Sequence, residues 1–407
     1  EAPPGTGKTT RVPPALAEAF PGGKILVLEP RRLAARWSSQ RVAQETGATW
    51  GREVGYQVRF EDRTQAETRL IYLTQGVFSR RLLRDPELKG IAVVVLDEFH
   101  ERNLDNDLAL AWLVRLHSQG LGPRVLVMSA TLPAGLSEKL GGPPTVMCEA
   151  PLFPVIQTYT IPQGTLENSV REAVEKESPR QPGEHTLVFL PGMREIRACE
   201  RELTSLATRR KAEIKILHGS LPVSEQDQVL APCPDRCRWI LATNVAETSL
   251  TIPGVSCVID SGLARRHDQR PGKAAHILEV ARISQFSARQ RAGRAGRTGP
   301  GKCVRLFTQA DFHNRPEADT PEILRTDLAE IGLFLARLSV SPLELPWLDS
   351  PTSERWESAL GLLEALGALK GGGLTELGGH MADVPLHPRL SRFLLKAPGK
   401  RAVAVAV

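Results

Sequence analysis

What this sequence lacks narrows the field first. No stretch approaches the roughly 18 consecutive apolar residues that a membrane-spanning helix needs. The N-terminus also lacks the charged-then-apolar layout of a secretory signal, so the chain reads as cytosolic. Cysteine is sparse: Cys148, Cys199, Cys233, Cys237, Cys257 and Cys303 are scattered rather than clustered, which argues against a disulfide framework. Cys233 and Cys237 are the one close pair, in a proline-bracketed loop, but no matching Cys or His pair stands at zinc-ligand spacing. Aromatic residues make up only 5% of the chain, which favours a surface that grips a phosphate backbone over one built from base-stacking rings. The charge excess is small: +6 over 407 residues suits a polyanionic partner without demanding one.

What is there is a chain too long for one compact core. From Lys24 onward, short runs rich in Val, Ile and Leu alternate with longer charged segments, the pattern of parallel sheets buried on both faces. The runs are Ile25 to Leu28, Ile91 to Leu96, Val125 to Met128, Thr186 to Leu190, Ile214 to Leu217, Trp239 to Ala242 and Val255 to Ile259, with a further strand at Leu70 to Leu73. The Pro- and Gly-rich stretch Gly141 to Pro154 divides them, which predicts two α/β domains. After about Phe312 the period becomes helical, in Asp327 to Leu338 and Glu354 to Leu366. A Gly371-Gly372-Gly373 turn follows, as suits a small helical or winged-helix module.

Three stretches carry chemistry. Ala2 to Thr9 matches the phosphate-loop pattern G-x-x-x-x-G-K-[ST] with Ala for the first Gly. Gly5, Thr6, Gly7, Lys8, Thr9 and Thr10 are the candidate nucleotide contacts. Backbone N–H groups would curl around phosphate, Lys8 would reach the β- and γ-phosphates, and the Thr9 hydroxyl would ligate Mg²⁺. Such a loop follows a strand, yet only Glu1 and Ala2 precede Pro3, which reads as a fragment. The run Ile91 to Leu96 ends in Asp97-Glu98-Phe99-His100, putting two carboxylates at the edge where ligands bind such sheets. Asp97 is placed to hold Mg²⁺, and Glu98 to orient or deprotonate a water. Finally, Gln290 to Arg297 reads Q-R-A-G-R-A-G-R. Arg294 and Arg297 are three apart on one helical face, so both guanidinium groups can converge on one phosphate.

Together these resemble the DEAH helicases of superfamily 2, with Asp97 to His100 as the box, here with Phe at its third position. Ser129-Ala130-Thr131 resembles the motif that links hydrolysis to domain movement. The run Gln290, Arg294 and Arg297 resembles the arginine-finger motif, and His100 belongs to the candidate catalytic set with Lys8, Asp97 and Glu98. The resemblance implies strand contacts from Arg31, Arg32, Thr74, Gln75, Thr243, Asn244 and Thr251. It implies flanking of the base by Arg41 and Leu230, where relatives more often carry an aromatic at the second place, and a strand-parting hairpin within Arg265 to Ala281. Phe99 and the Pro3-Pro4 loop start look closest to the bacterial HrpB-type branch.

The resemblance implies two RecA-like domains at 1–148 and 152–312, a winged-helix domain at 313–380 and the start of a helical ratchet-like domain at 381–407. ATP and Mg²⁺ are the implied cofactors, and a single strand, RNA ahead of DNA, is the implied partner, moved 3′ to 5′; a protein cofactor is left open. A ribonucleoprotein-remodelling clamp without processive unwinding would share every motif. A dead scaffold would lack part of the hydrolytic set, yet all seven of Lys8, Thr9, Asp97, Glu98, Gln290, Arg294 and Arg297 are present.

Overall fold

The computed structural model describes residues 1–3, 6–148, 153–247, 251–268 and 277–397, without the side chains of 267, 268, 277 and 278. Gly5, residues 248–250, the tip of the expected hairpin and residues 398–407 lie outside the described residues.

The first sheet contains β1 (Lys24–Glu29), β2 (Val54–Val58), β3 (Glu61–Arg63), β4 (Leu70–Thr74), β5 (Ile91–Leu96) and β6 (Arg124–Val127). Their spatial order is β3-β2-β4-β1-β5-β6, parallel except for β3. Successive strand residues point to opposite faces, so alternate side chains enter two cores. Leu26, Leu28, Leu73, Val94 and Leu96 fill one; Ile25, Val27, Tyr72, Val93 and Val95 fill the other. That double burial is why these strands read as unbroken apolar runs. Helices α1 (Lys8–Ala19), α2 (Arg32–Thr46), α3 (Gln75–Arg84) and α4 (Leu104–Ser118) connect the strands.

The second sheet holds β7 (Val155–Tyr159), β8 (His185–Phe189), β9 (Glu213–Leu217), β10 (Arg238–Ala242) and β11 (Val255–Asp260). An antiparallel pair follows, β12 (Leu263–Asp268) and β13 (Ile277–Arg282), then β14 (Gly301–Arg305) returns to the sheet. Its order is β7-β14-β11-β8-β10-β9, all parallel. The expected hairpin is therefore present on both sides of its undescribed tip.

Beyond Phe312 come helices Ala329–Arg337 and Ser353–Ala365, a small hairpin of β15 (Leu369–Lys370) and β16 (Gly373–Leu374), and helices Glu376–Asp383 and Pro388–Lys396. Gly371 and Gly372 form the hairpin turn at φ 56° and 77°, which only glycine adopts cheaply. This module shares one core with the first sheet: Ile323, Leu335, Leu363 and Met381 join Phe78, Leu108 and Trp112. No helix among the described residues is long and apolar enough to cross a membrane.

Each expected strand appears within a residue of its expected ends. In the two large sheets, four more were not expected from the sequence. β3 is Glu-Asp-Arg with every side chain exposed, and β7 is a sheet-edge strand without a buried face. β2 and β14 are short and interrupted by Gly or Lys.

Candidate nucleotide site and nucleic-acid interface

The phosphate loop enters α1 through Gly7, at φ 83°, where a side chain would be strained. Lys8 Nζ donates to Ala2 O at 2.5 Å, and Thr6 Oγ1 donates to Pro3 O at 3.0 Å. Pro13 lies inside α1 and has no N–H, so the Thr9 carbonyl one turn earlier loses its helical donor. Tyr72 OH takes that place at 2.7 Å, pinning the loop end to β4.

Thr9 Oγ1 then donates to Asp97 Oδ2 at 2.5 Å, and Glu98 N donates to Asp97 Oδ1 at 2.8 Å. Asp97 is wholly buried, and burial followed by the neighbouring Glu98 charge pushes its carboxyl up to about 7. Burial also acts to raise Glu98, but His100 where it is protonated, together with Lys8, Arg294 and Arg297, pulls it below its usual value, so it is ionised at neutral pH. Burial holds His100 below its usual value, hence neutral. Its Nδ1 lies 3.5 Å from Glu98 Oε2 and 3.3 Å from Ser129 Oγ, and its ring stands 5.0 Å edge-on from Phe286 of the second half. The Ser129 hydroxyl turns back to Thr131 O.

The second half closes the site. A cleft of about 1080 Å³ is lined by Thr6 to Arg11, Arg41 and Glu98 on one side and by Leu230, Thr251 and Arg297 on the other. Helix Gln285–Ala292 and the turn after it carry the arginine run, with Gln290 and Arg294 buried. Arg297 is shifted down by burial to about 10, so it keeps its charge at neutral pH, and its Nη1 donates to Thr251 Oγ1 at 2.7 Å. Arg41 is exposed and pairs with Glu45 at 2.7 Å, whereas Leu230 is buried; both line the cleft, as does Thr10, whose hydroxyl lies 3.4 Å from Gly7 O.

The expected strand contacts divide. Arg31, Arg32, Thr243 and Asn244 line one cavity of about 390 Å³ with His218, Gly219 and Ser220, bringing motifs of both halves together. Within it Arg31 is already engaged, by Glu101 at 3.2 Å and by the Asn244 carbonyl across the seam. Thr74 stands at the head of α3, without a side-chain capping bond, and apart from this cavity, and Gln75 is buried. Thr251, expected beside nucleic acid, stands in the nucleotide cleft instead.

Sequence reasoning missed several residues. Arg291, inside the arginine run, is wholly buried and pairs with Glu247 at 3.0 Å and Asp260 at 2.9 Å, fixing the run to β11. Glu29 is buried at the end of β1, its carboxyl raised by burial and by Asp97, Glu98 and Glu101. Asp227 takes Arg36 at 2.5 Å and Trp37 Nε1 at 3.2 Å across the seam. The one available signal was the charge of Glu29 in an otherwise apolar run.

Comparison with known proteins bears on the whole chain. Residues 1–138 match the family described as DEAD/DEAH box helicase, and residues 169–299 match the helicase conserved C-terminal domain. The ATP-dependent RNA helicase HrpB of Escherichia coli (strain K12) is 40% identical over 417 residues, covering 100% of this chain and 51% of the relative. A crystal structure of the E. coli DEAH/RHA helicase HrpB matches at a TM-score of 0.90 and 38% identity, over 100% of this chain and 52% of that one. A second, of the E. coli DExH-box NTPase HrpB, matches at 0.82 and 37%, over 100% and 51%. The chain thus spans about half the length of the relatives it matches.

Proposed function

We propose, for a chain that belongs to the DEAD/DEAH box helicase family, that it hydrolyses ATP with Mg²⁺ between two RecA-like domains and moves along single-stranded RNA in the cytoplasm. The observation that carries this reading is the junction of three motifs. Thr9 and Asp97 are hydrogen-bonded, and Glu98 beside them faces a cleft whose far wall bears Arg297.

The donor set fits Mg²⁺: two hard oxygens 2.5 Å apart, one of them on a buried carboxyl raised to about 7, a site that gains from a cation. When bound with nucleotide, the ion neutralises phosphate charge as a Lewis acid. Lys8 and the loop amides bind the β- and γ-phosphates, while Glu98, ionised by its cationic neighbours, orients and deprotonates the attacking water. Arg294 and Arg297 compensate charge on the transferring phosphoryl group only when the halves meet, which ties hydrolysis to closure, and Gln290 supports them. Arg41 and Leu230 flank the base. Arg32, Thr243, Asn244 and the His218 loop grip phosphates, with little sequence preference. Arg31 instead couples the halves through Glu101 and Asn244 O. The working units are 1–148, 152–312, 313–380 and 381–407, and the 3′-to-5′ direction follows from the family resemblance.

Steady-state ATP hydrolysis by the full chain, with single-stranded RNA and DNA of one sequence at two salt concentrations, tests this. RNA should stimulate turnover above DNA and lose its effect as salt rises. Glu98→Gln should cut turnover by about 10³-fold while retaining ATP binding. RNA-stimulated hydrolysis without strand displacement would move the reading to a ribonucleoprotein clamp; parental turnover in Glu98→Gln would remove Glu98 from its role.

A further inference from the structure

The turn that carries Glu98 is held from outside the nucleotide cleft. Phe99–Glu101 form a single 3-10 turn flanked by Glu98 at φ 48° and Arg102 at φ 45°, both in the left-handed region that residues other than glycine rarely adopt. Such backbone persists where its surroundings over-determine it. On the Glu98 side the restraint is local: Phe99 N donates to Met128 O at 3.2 Å, and Glu98 N to its neighbour Asp97.

On the Arg102 side the restraint comes from α4 and from the C-terminal helical module. The buried Arg102 guanidinium makes paired bonds to Asp107 of α4, at 2.8 and 3.2 Å, and its Nη2 reaches Asp349 Oδ2 at 2.5 Å. The backbone is gripped as well. Glu322 N donates to Arg102 O at 3.0 Å, and Glu322 Oε2 accepts Leu104 N at 3.0 Å. Two residues before Asp349, Trp347 is buried, packs 6.0 Å from Trp356 and donates to Pro342 O at 2.8 Å.

We propose that Glu322 and Asp349 are positioning residues for hydrolysis: by locking Arg102 they hold the left-handed turn, and with it Glu98, aimed into the cleft. This rests on the hydrolytic reading above. It makes the C-terminal module part of the hydrolytic machinery, so a load or partner that displaces the module slows turnover without touching the nucleotide.

Asp349 is 43% exposed at its side chain, so Asp349→Ala removes the bond without opening a core. The expected result in the full chain is a fall in kcat of about tenfold or more, with KM for ATP within about twofold of the parent. Asp349→Glu, which keeps the carboxylate, should recover most of that loss. Leu363→Ala serves as the control: it lowers Tm through the module's core, makes no bond in this network, and should keep its kcat. Hydrogen exchange over residues 97–103 should quicken in Asp349→Ala and not in Asp349→Glu.

Parental kcat together with parental exchange in Asp349→Ala would overturn the proposal. So would a loss that glutamate does not recover and that Leu363→Ala reproduces, since the residue would then be merely structural. If the parent chain itself hydrolyses nothing, the functional reading fails, while the exchange measurement still decides whether Asp349 holds the turn.

Discussion

The seam between the first sheet and the C-terminal helices is filled mainly with hydrocarbon, with the Arg102 network to one side, whereas the seam between the two sheets is filled mainly with charge. In the former, Phe78, Leu108 and Trp112 share a core with Ile323, Leu335, Leu363 and Met381, and Trp112 meets Phe334 edge-on at 6.3 Å. In the latter, Arg31 reaches Glu101 and Asn244 O, Arg36 and Trp37 share Asp227, and Glu98 feels Arg294 and Arg297. Leu33 and the half-buried Trp37 are the apolar side chains of the first half that join the second half's core. Opening an apolar seam costs about 25 cal/mol for each Å² returned to water. A polar contact exchanges protein partners for water at a net of about 1 kcal/mol. The first seam is therefore the costlier joint to open and the second the cheaper, which fits the proposed cycle in which one half carries the arginines to and from the nucleotide.

Variants that cut each seam should separate turnover from stability. The largest effect belongs to Arg297→Ala. It removes one cation that crosses the polar seam, and kcat should fall by about 10³-fold or more, with ATP binding and Tm close to parental. A variant that kept parental turnover would mean that the arginine run is not delivered to phosphate. Next comes Trp112→Ala, which empties the apolar seam and leaves Pro86 O without its indole donor. It should cost about 3–5 kcal/mol in denaturant unfolding, while kcat per folded molecule changes little. If Trp112→Ala instead abolished turnover at parental stability, the division between a fixed and a cycling joint would be wrong.

How far this division was legible in the sequence depends on its material. The sheets and the hydrolytic motifs were legible, because a buried parallel strand is a continuous apolar run and a phosphate loop needs glycine and lysine at fixed offsets. Periodicity also marked the helices that fill the apolar seam. The polar seam left no such trace. The bond from Arg36 to Asp227 spans 191 positions, as the bond from Arg102 to Asp349 across the other seam spans 247, and a charged residue awaiting a distant partner reads like any solvated one. Arg31 shows the same limit: its place after β1 was readable, but its capture by Glu101 and Asn244 O was not. The family resemblance implied a strand contact for Thr251, whereas the fold turns it toward Arg297.

Asp227 sharpens the comparison at smaller scale. Both its carboxylate oxygens hold the first half, Oδ2 to Arg36 and Oδ1 to Trp37, close to the rim of the nucleotide cleft. Because the side chain is 37% exposed, Asp227→Ala should weaken closure by about 1 kcal/mol. That corresponds to about a fivefold rise in KM for ATP, if closure is part of binding, with little change in Tm. A fall in Tm like that of Trp112→Ala would show that the polar seam is structural after all.

The smallest effect tests the apolar seam from within, at a carboxyl beside its core. Asp105, in the first turn of α4, accepts Ser79 Oγ at 3.2 Å beside the small cavity that separates α3 from the C-terminal helices. Burial, and then the charge of Glu330, push its carboxyl up to about 6. A folded value above the ordinary one means that the folded state holds the proton more tightly. This contribution is present in full below the unfolded value near 3.8, is lost as pH rises through about 6, and then levels. Asp105→Asn keeps the shape and the acceptor but cannot ionise. Its stability relative to the parent should therefore be near zero at about pH 4, rise toward pH 6 and flatten above. The plateau should be on the order of 1 kcal/mol, below the full shift, because the carboxylate keeps some solvent contact and the α4 dipole favours its charge. A difference between the two proteins that did not vary with pH would mean that Asp105 is ionised without cost, and that water reaches into the seam.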